Sequence, residues 1–415
     1  MRIEIANIKR FFRQCDKSRS SRVSHIVGSV VRTLLAVTFL FSGFVKSVDP
    51  LGTVYKVEDY LTAMSLGGIL PAAGVIAVLL IVAEWILGWL MLFNVRTNWT
   101  SWGVLVFVLI MTPLTLWIAL TGAVHDCGCF GDALVLTNWQ TFWKNVVLLS
   151  LVFILLYCKK GIPQLFSWWA ELALFLVGLG ITAGIMGYGY THLPIIDFRP
   201  YKVGNNIYEM TKDPEPDVTI VKHTMEKDGQ YRVFSNEEYM AAKEDGWVWQ
   251  SQTTTYFKYA GSDHHLEPMS VEPIITDFKL DLLGRDSDID ETDEANTERY
   301  TYIEDDYTDY VLTSEEPITL IVMYDLKKRN HKQAVRAAQL YKKIRANGGE
   351  CYFLTGSGDA DIFAYADEEG IDISEGAFLY MDATPIKTII RANPGVVVIQ
   401  NGVIISKSNM RQVNI

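Results

Sequence analysis

Cys127 and Cys129 stand one residue apart in the run His125-Asp-Cys-Gly-Cys-Phe-Gly-Asp132, a short polar segment between two long apolar stretches. Thiols so spaced meet readily, because Cα atoms at i and i+2 fall in the lower to middle part of the separation a disulfide accepts. The ring they close is small, which makes the bond strained and easily reduced. Exposed, strained disulfides are the ones that exchange. A static staple is the alternative, but closing so short a loop stabilises little. An imidazolium beside a thiol favours the thiolate and a carboxylate opposes it, so His125 is positioned to activate Cys127 and Asp126 to modulate it. Both side chains read equally well as a polar loop facing water. A zinc or copper site needs more ligands than one loop offers, even with Asp132 assisting, so no metal is expected.

The elements that must hold this loop are membrane spans. Ile26–Val45, Ile69–Phe93, Trp102–Leu120, Trp139–Tyr157 and Leu165–Tyr190 are each close to the ~20 apolar residues that cross a hydrocarbon core. Charge divides the chain in two. Residues 1–191 hold 14 Lys+Arg against 9 Asp+Glu, whereas residues 192–415 hold 23 against 39. The basic arm (Arg2, Lys9, Arg10, Arg13, Lys17, Arg19, Arg22), Arg96 and Lys159-Lys160 fall on one side of the five spans. Asp49, Glu58, Asp59, Asp126, Asp132 and the acidic C-terminal half fall on the other. By the positive-inside rule the N-terminus is cytoplasmic and the C-terminal half periplasmic, on a multi-pass protein of a bacterial inner membrane. That puts Cys127 and Cys129 where disulfides persist. The acidic exported half argues against nucleic acid as a partner and leaves membrane lipid and protein.

Polar side chains inside the spans are the next candidates. Glu84, in Ala83-Glu84-Trp-Ile-Leu-Gly88, is a carboxyl group at membrane depth, an expensive placement that marks function by default. Lys46 and Asn145 are its candidate partners. Lys46 by itself reads as a snorkelling end-of-span residue, as does Lys144. Gly28, Ser42 and Gly43 read as small residues that let helices pack closely.

Phe39-Leu-Phe-Ser-Gly-Phe-Val-Lys-Ser47, Glu84, the Cys-Gly-Cys-Phe-Gly motif and Trp139-Gln-Thr-Phe-Trp-Lys-Asn145 together resemble the DoxX/MauE superfamily, specifically its MauE branch, over about residues 25–160. The resemblance implies a four-helix membrane bundle tied to thiol–disulfide maturation of exported proteins. The expected organisation is a basic arm (1–24), the four-helix domain (25–160), a fifth span (161–191), a β-rich region with an acidic linker (192–304) and a final α/β domain (305–415).

In that last domain Ile318–Tyr324, His331–Ala346, Cys351–Leu354 and Asp359–Glu369 read as strand, helix, strand and helix, followed by two strands around Asn401-Gly402. With Thr276–Gly284 as a lead-in hairpin and Pro394 entering a strand, the pattern resembles periplasmic TlpA-type thioredoxin-like domains. The resemblance implies that Pro394 is cis. Where such domains carry CxxC, this chain has Tyr324-Asp-Leu-Lys-Lys-Arg-Asn-His331, without a cysteine. The domain is therefore a degenerate member suited to binding a client rather than to exchange. Cys351, alone in an apolar strand, reads as a small buried hydrophobe, with a resolving partner for the CxC pair as the alternative. The acidic segment 285–309 reads as a solvated linker.

The expectation is an envelope thiol–disulfide oxidoreductase that passes electrons between an exported client and a quinone-linked acceptor, with Cys127, Cys129, His125, Asp126 and Glu84 as its site. A non-enzymatic scaffold with a structural CxC is the second reading, and small-molecule transport through the bundle the third. The topology is open to a direct check. In inner-membrane preparations with the outer face exposed, a membrane-impermeant thiol reagent should reach a cysteine placed at Ser287 and spare one at Ser18, and the reverse pattern would invert the orientation.

Overall fold

A computed structural model describes residues 22–124, 128–158, 166–260, 265–269, 273–285, 300–303, 307–374 and 376–415. The chain divides into two compact units: Met1–Arg199 with Lys387–Ala392, and Pro200–Ile386 with Asn393–Ile415.

The first unit is helical. It contains α1 (Arg22–Val48), α2 (Pro50–Ala63), a 3₁₀ turn (Gly67–Ala72), α3 (Ala73–Leu92), α4 (Thr97–Thr121), α5 (Asn138–Cys158) and α6 (Trp168–Thr191). Five of these elements are long and apolar enough to cross a membrane, at the five stretches expected from sequence. Their apolarity runs all round. On α1, Val31, Leu35 and Phe39 are buried in the bundle, while Ile26, Val30, Leu34, Val37 and Phe41 face outward. A helix that is hydrophobic on both faces needs lipid or protein on both.

The segment between the first two spans, whose Asp49, Glu58 and Asp59 entered the sequence reading only as charges that orient the chain, is largely helix. Pro50 cannot continue α1 because it lacks an N–H, but it suits the first turn of a new helix. The Asp49 carboxylate accepts from the Gly52 amide (3.0 Å) and caps α2. Val54, Val57 and Leu61 then share one face and pack on Ala73, Ile76 and Ala77 of α3.

Helices α1 and α3 touch through glycine. A Cβ on Gly43 would lie 2.7 Å from the Trp85 amide nitrogen, and one on Gly88 would lie 2.6 Å from that of Leu40. Such close backbone approach is the main way helices associate in lipid. Two indoles fasten the fifth span: Trp85 Nε1 donates to the Gly178 carbonyl (3.0 Å) and Trp89 Nε1 to that of Leu174 (2.9 Å).

The second unit holds α7 (Ile207–Thr211), β1 (Val218–Lys227), β2 (Gln230–Ser235), α8 (Tyr239–Glu244), β3 (Val248–Ala260) and β4 (His265–Met269). Strands β1–β4 make an antiparallel sheet in the order β2-β1-β3-β4, where a β-rich region was expected. Then come β5 (Asp281–Arg285), β6 (Tyr300–Ile303), α9 (Tyr307–Thr313), β7 (Ile318–Val322), α10 (His331–Ala346), β8 (Glu350–Thr355), α11 (Asp359–Glu369), β9 (Phe378–Tyr380), α12 (Ala383–Ile389), β10 (Gly395–Gln400) and β11 (Val403–Asn409). The second sheet is ordered β11-β10-β7-β8-β9-β5-β6, with β7, β8 and β9 parallel. Helices α10 and α11 make its crossovers, and β7 is buried along its whole length, as a covered parallel strand must be.

Two expectations change here. The strand-helix order omitted β9 and α12, since three residues are too few to show a periodicity. The acidic stretch 285–309 is not all linker: Tyr300–Ile303 pairs with β5 and Tyr307–Thr313 is helical. The Asn393–Pro394 bond is cis. Cys351 is 1 % exposed, and burial pushes its thiol up to about 12, which suits a packing residue.

The glycine contacts predict opposite signs for one substitution. Gly43→Ala and Gly88→Ala should each cost about 1–3 kcal/mol through overpacking. Gly74→Ala and Gly180→Ala, where a Cβ meets nothing within 4 Å, should be neutral or stabilising by helix propensity. Thermal unfolding of the four variants in detergent separates the two groups.

Candidate functional site

Lys46 and Glu84 form a buried ion pair inside the first unit, only 6 % and 5 % exposed. The glycine-mediated approach of α1 and α3 brings them together. Lys46 Nζ lies 2.6 Å from Glu84 Oε1 and 2.7 Å from Oε2, so one ammonium bridges the carboxylate. Lys46 therefore turns inward instead of snorkelling, and it is the partner of Glu84. Asn145, the other candidate, donates to Thr115 Oγ1 (3.1 Å).

Ser42, one turn before Lys46, does more than permit packing. Its Oγ accepts from Lys46 Nζ (3.1 Å) and stands 2.7 Å from Glu84 Oε2 and 2.6 Å from the Cys129 carbonyl. One hydroxyl proton serves two acceptors, so Ser42 links the ion pair to the backbone of the CxC loop. Two left-handed glycines shape that loop, Gly128 at φ 60° and Gly131 at φ 52°, a conformation that glycine adopts without steric cost. His125, Asp126 and Cys127 lie outside the described residues.

These groups border an open pocket of about 240 Å³ lined by α1–α5 and the loop. Most of its wall is apolar, including Phe39, Val57, Leu61, Phe107, Met111 and Leu114. Ser42, Lys46, Lys56, Glu84, Lys144 and Asn145 supply polar atoms, and Cys129 and Phe130 line the same space. The Lys144 ammonium sits 4.4 Å from the centre of the Phe130 ring, a cation–π contact, so it too is engaged with protein rather than snorkelling.

A second polar cluster closes the other end of the CGCFGD motif. Arg391, in the late segment that belongs to this unit, donates from Nε to Asp49 Oδ2 (2.9 Å) and Oδ1 (3.2 Å), and its Nη2 lies 3.6 Å from Asp132 Oδ2. Burial pushes the Asp132 carboxyl above its ordinary value, the Arg391 guanidinium opposes that, and the Asp49 charge adds to it. Sequence reasoning missed Arg391 because nothing near residue 391 points to a loop 259 positions earlier. Among the described residues no group of three or more His, Cys, Asp or Glu could hold a metal ion.

Residues 24–158 match the family model described as methylamine utilisation protein MauE. That stretch takes in α1 from its first turn through α5, with the CxC loop, the Lys46–Glu84 pair and the cavity wall. No curated protein and no solved structure matches the chain. The match over residues 24–158 and the five helices long and apolar enough to cross a membrane fit a membrane protein.

The ion pair predicts strong non-additivity. Lys46→Met or Glu84→Leu alone leaves one buried charge unpaired and should cost about 3–5 kcal/mol, whereas the double variant should recover much of that loss. A double-mutant cycle by thermal unfolding measures the coupling, and simple additivity would refute it.

Proposed function

We propose that this protein is a thiol–disulfide oxidoreductase of the cell envelope that oxidises exported client proteins through Cys127 and Cys129. The observation that carries this reading is the link from the Cys129 carbonyl through Ser42 to the buried Lys46–Glu84 pair. A loop used only as a staple needs no such connection to a charged cavity in the bundle. In the reaction a client thiolate attacks the Cys127–Cys129 disulfide and forms a mixed disulfide, releasing one enzyme thiolate. A second client thiolate resolves it, so the client leaves oxidised and the pair is left as a dithiol. His125 favours the thiolate form in this scheme and Asp126 opposes it. The orientation follows the loop charges, with the N-terminus cytoplasmic and residues 192–415 periplasmic, in a bacterial inner membrane.

In the same reading the second unit is a degenerate thioredoxin-like domain that presents the client. Three parallel strands with crossover helices, an antiparallel β10–β11 pair and the cis bond before β10 support it. Asn393 Nδ2 donates to the Asp325 carbonyl (2.8 Å), so the cis-proline turn packs against residues 324–331. No thiol stands in that segment, and the buried Cys351 is unsuited to nucleophilic attack. That absence also favours the second reading, a non-enzymatic scaffold whose outer domain binds a partner.

Cys127→Ser and Cys129→Ser distinguish the two. Each should abolish client oxidation while membrane abundance stays near wild type, and the remaining thiol should trap a mixed disulfide with a client. Normal function in both variants would end the exchange reading, and loss of both from the membrane would make the bond structural.

A further inference from the structure

We infer that the open edge of β2 binds an extended segment of an exported polypeptide by strand addition. The segment runs antiparallel to β2 and sets an acidic residue against Arg232. The inference deepens the proposed presentation of clients, and only the identity of the bound chain as a client rests on that reading.

The hairpin register identifies the groups on offer. Asp228 and Gly229 make the two-residue turn between β1 and β2, both at positive φ (53° and 77°), as a twisted hairpin requires. Lys227 and Gln230 flank the turn and exchange both backbone hydrogen bonds, and such pairs alternate along an antiparallel ladder. Gln230, Arg232 and Phe234 thus spend their backbone groups on β1, whereas Tyr231, Val233 and Ser235 aim theirs outward. The Ser235 amide is met by Glu238 Oε2 (3.0 Å). The backbone groups of Tyr231 and Val233 meet no partner among the described residues, since β2 ends its sheet. Their side chains are 69 % and 56 % exposed.

Unpaired strand edges recruit other chains, so proteins cover, shorten or break them. Among the described residues the other three sheet edges follow that rule. Gly204 donates to the Ile404 carbonyl and Ile404 to that of Asn205, which covers β11. Strand β4 contains Pro268, which has no N–H to offer, and β6 is four residues long. Strand β2 has neither a proline nor a bulge in its pairing with β1. An edge left open gives affinity through backbone hydrogen bonds and selectivity through alternate side chains.

Charge decides between a second copy and a different chain. If two β2 strands paired antiparallel through all the open groups, Tyr231 would face Val233 and the two copies of Arg232 would face each other. That position is not hydrogen-bonded, so its side chains come closest, and like charges there are destabilising. The Arg232 guanidinium lies 5.3 Å from the centre of the Phe234 ring and has no ion pair among the described residues. An acidic residue in the incoming strand answers it, with apolar neighbours on either side beside Tyr231 and Val233.

The test uses the full-length protein in detergent micelles and short fluorescent peptides of alternating valine and threonine. They contain no cysteine, so binding is read apart from disulfide exchange. The central residue is glutamate in one peptide and lysine in the other. The glutamate peptide should bind and slow hydrogen exchange at the Tyr231 and Val233 amides, and the lysine peptide should bind about threefold more weakly. Arg232→Glu should reverse that order. Val233→Pro removes an outward N–H without touching the β1 ladder and should weaken binding about fivefold or more. N-methylation of the peptide, which leaves the protein unchanged, should do the same. An order that Arg232→Glu does not reverse, or binding that survives both Val233→Pro and N-methylation, would overturn the docking edge. So would concentration-dependent dimers that protect the same amides, because a second copy would then be the occupant. Glutamate-selective binding with no redox change at Cys127 and Cys129 keeps the edge and overturns the exchange reading instead.

Discussion

A charge buried among apolar helices has to be matched, and Lys46–Glu84 is where this chain meets that demand. Either residue buried alone would leave an unpaired charge, so each constrains the position of the other. The helices that carry them must lie close enough for a 2.6 Å contact, and Gly43 and Gly88 make that approach possible. Ser42, one turn away on the same face, is thereby brought to the carboxylate and to the Cys129 carbonyl. Helix packing, ion pairing and loop placement are thus one arrangement.

The loop is held from two directions. Ser42 fixes the Cys129 carbonyl from within the bundle, while Asp132 meets Arg391 at the far end of the motif. Asp49 takes part in both local and distant order: its carboxylate caps α2 and accepts from Arg391. Burial of Asp132 beside another carboxylate raises its pKa, and a guanidinium shared between them limits that rise.

The second unit is built on a seven-stranded sheet whose parallel strands β7–β9 carry helical crossovers. A cis-proline turn leads into β10, and Asn393 ties that turn to the segment after β7. What that segment lacks is a thiol. The only cysteine in the unit is Cys351, sealed in the core by the burial that makes β8 a central strand.

Sequence alone was enough for whatever depends on local pattern. The five spans were legible because hydropathy over some twenty residues is a sum that no tertiary contact changes. The CxC spacing, the missing CxxC and the buried character of Cys351 were legible for the same reason. Tertiary structure decided what depends on which surfaces meet. Lys46 by itself reads as a snorkelling lysine and is one of two candidate partners for Glu84; the choice between it and Asn145 rests on a helix approach set by two glycines. Asn145 found Thr115, Lys144 found Phe130, and Arg391 found Asp49 and Asp132. Helix α2 hid behind its charges, and the three-residue β9 is a strand only because β8 and β5 flank it. Local sequence can nominate partners for a distant side chain but cannot choose among them, since the pairing energy exists only once the helices have packed.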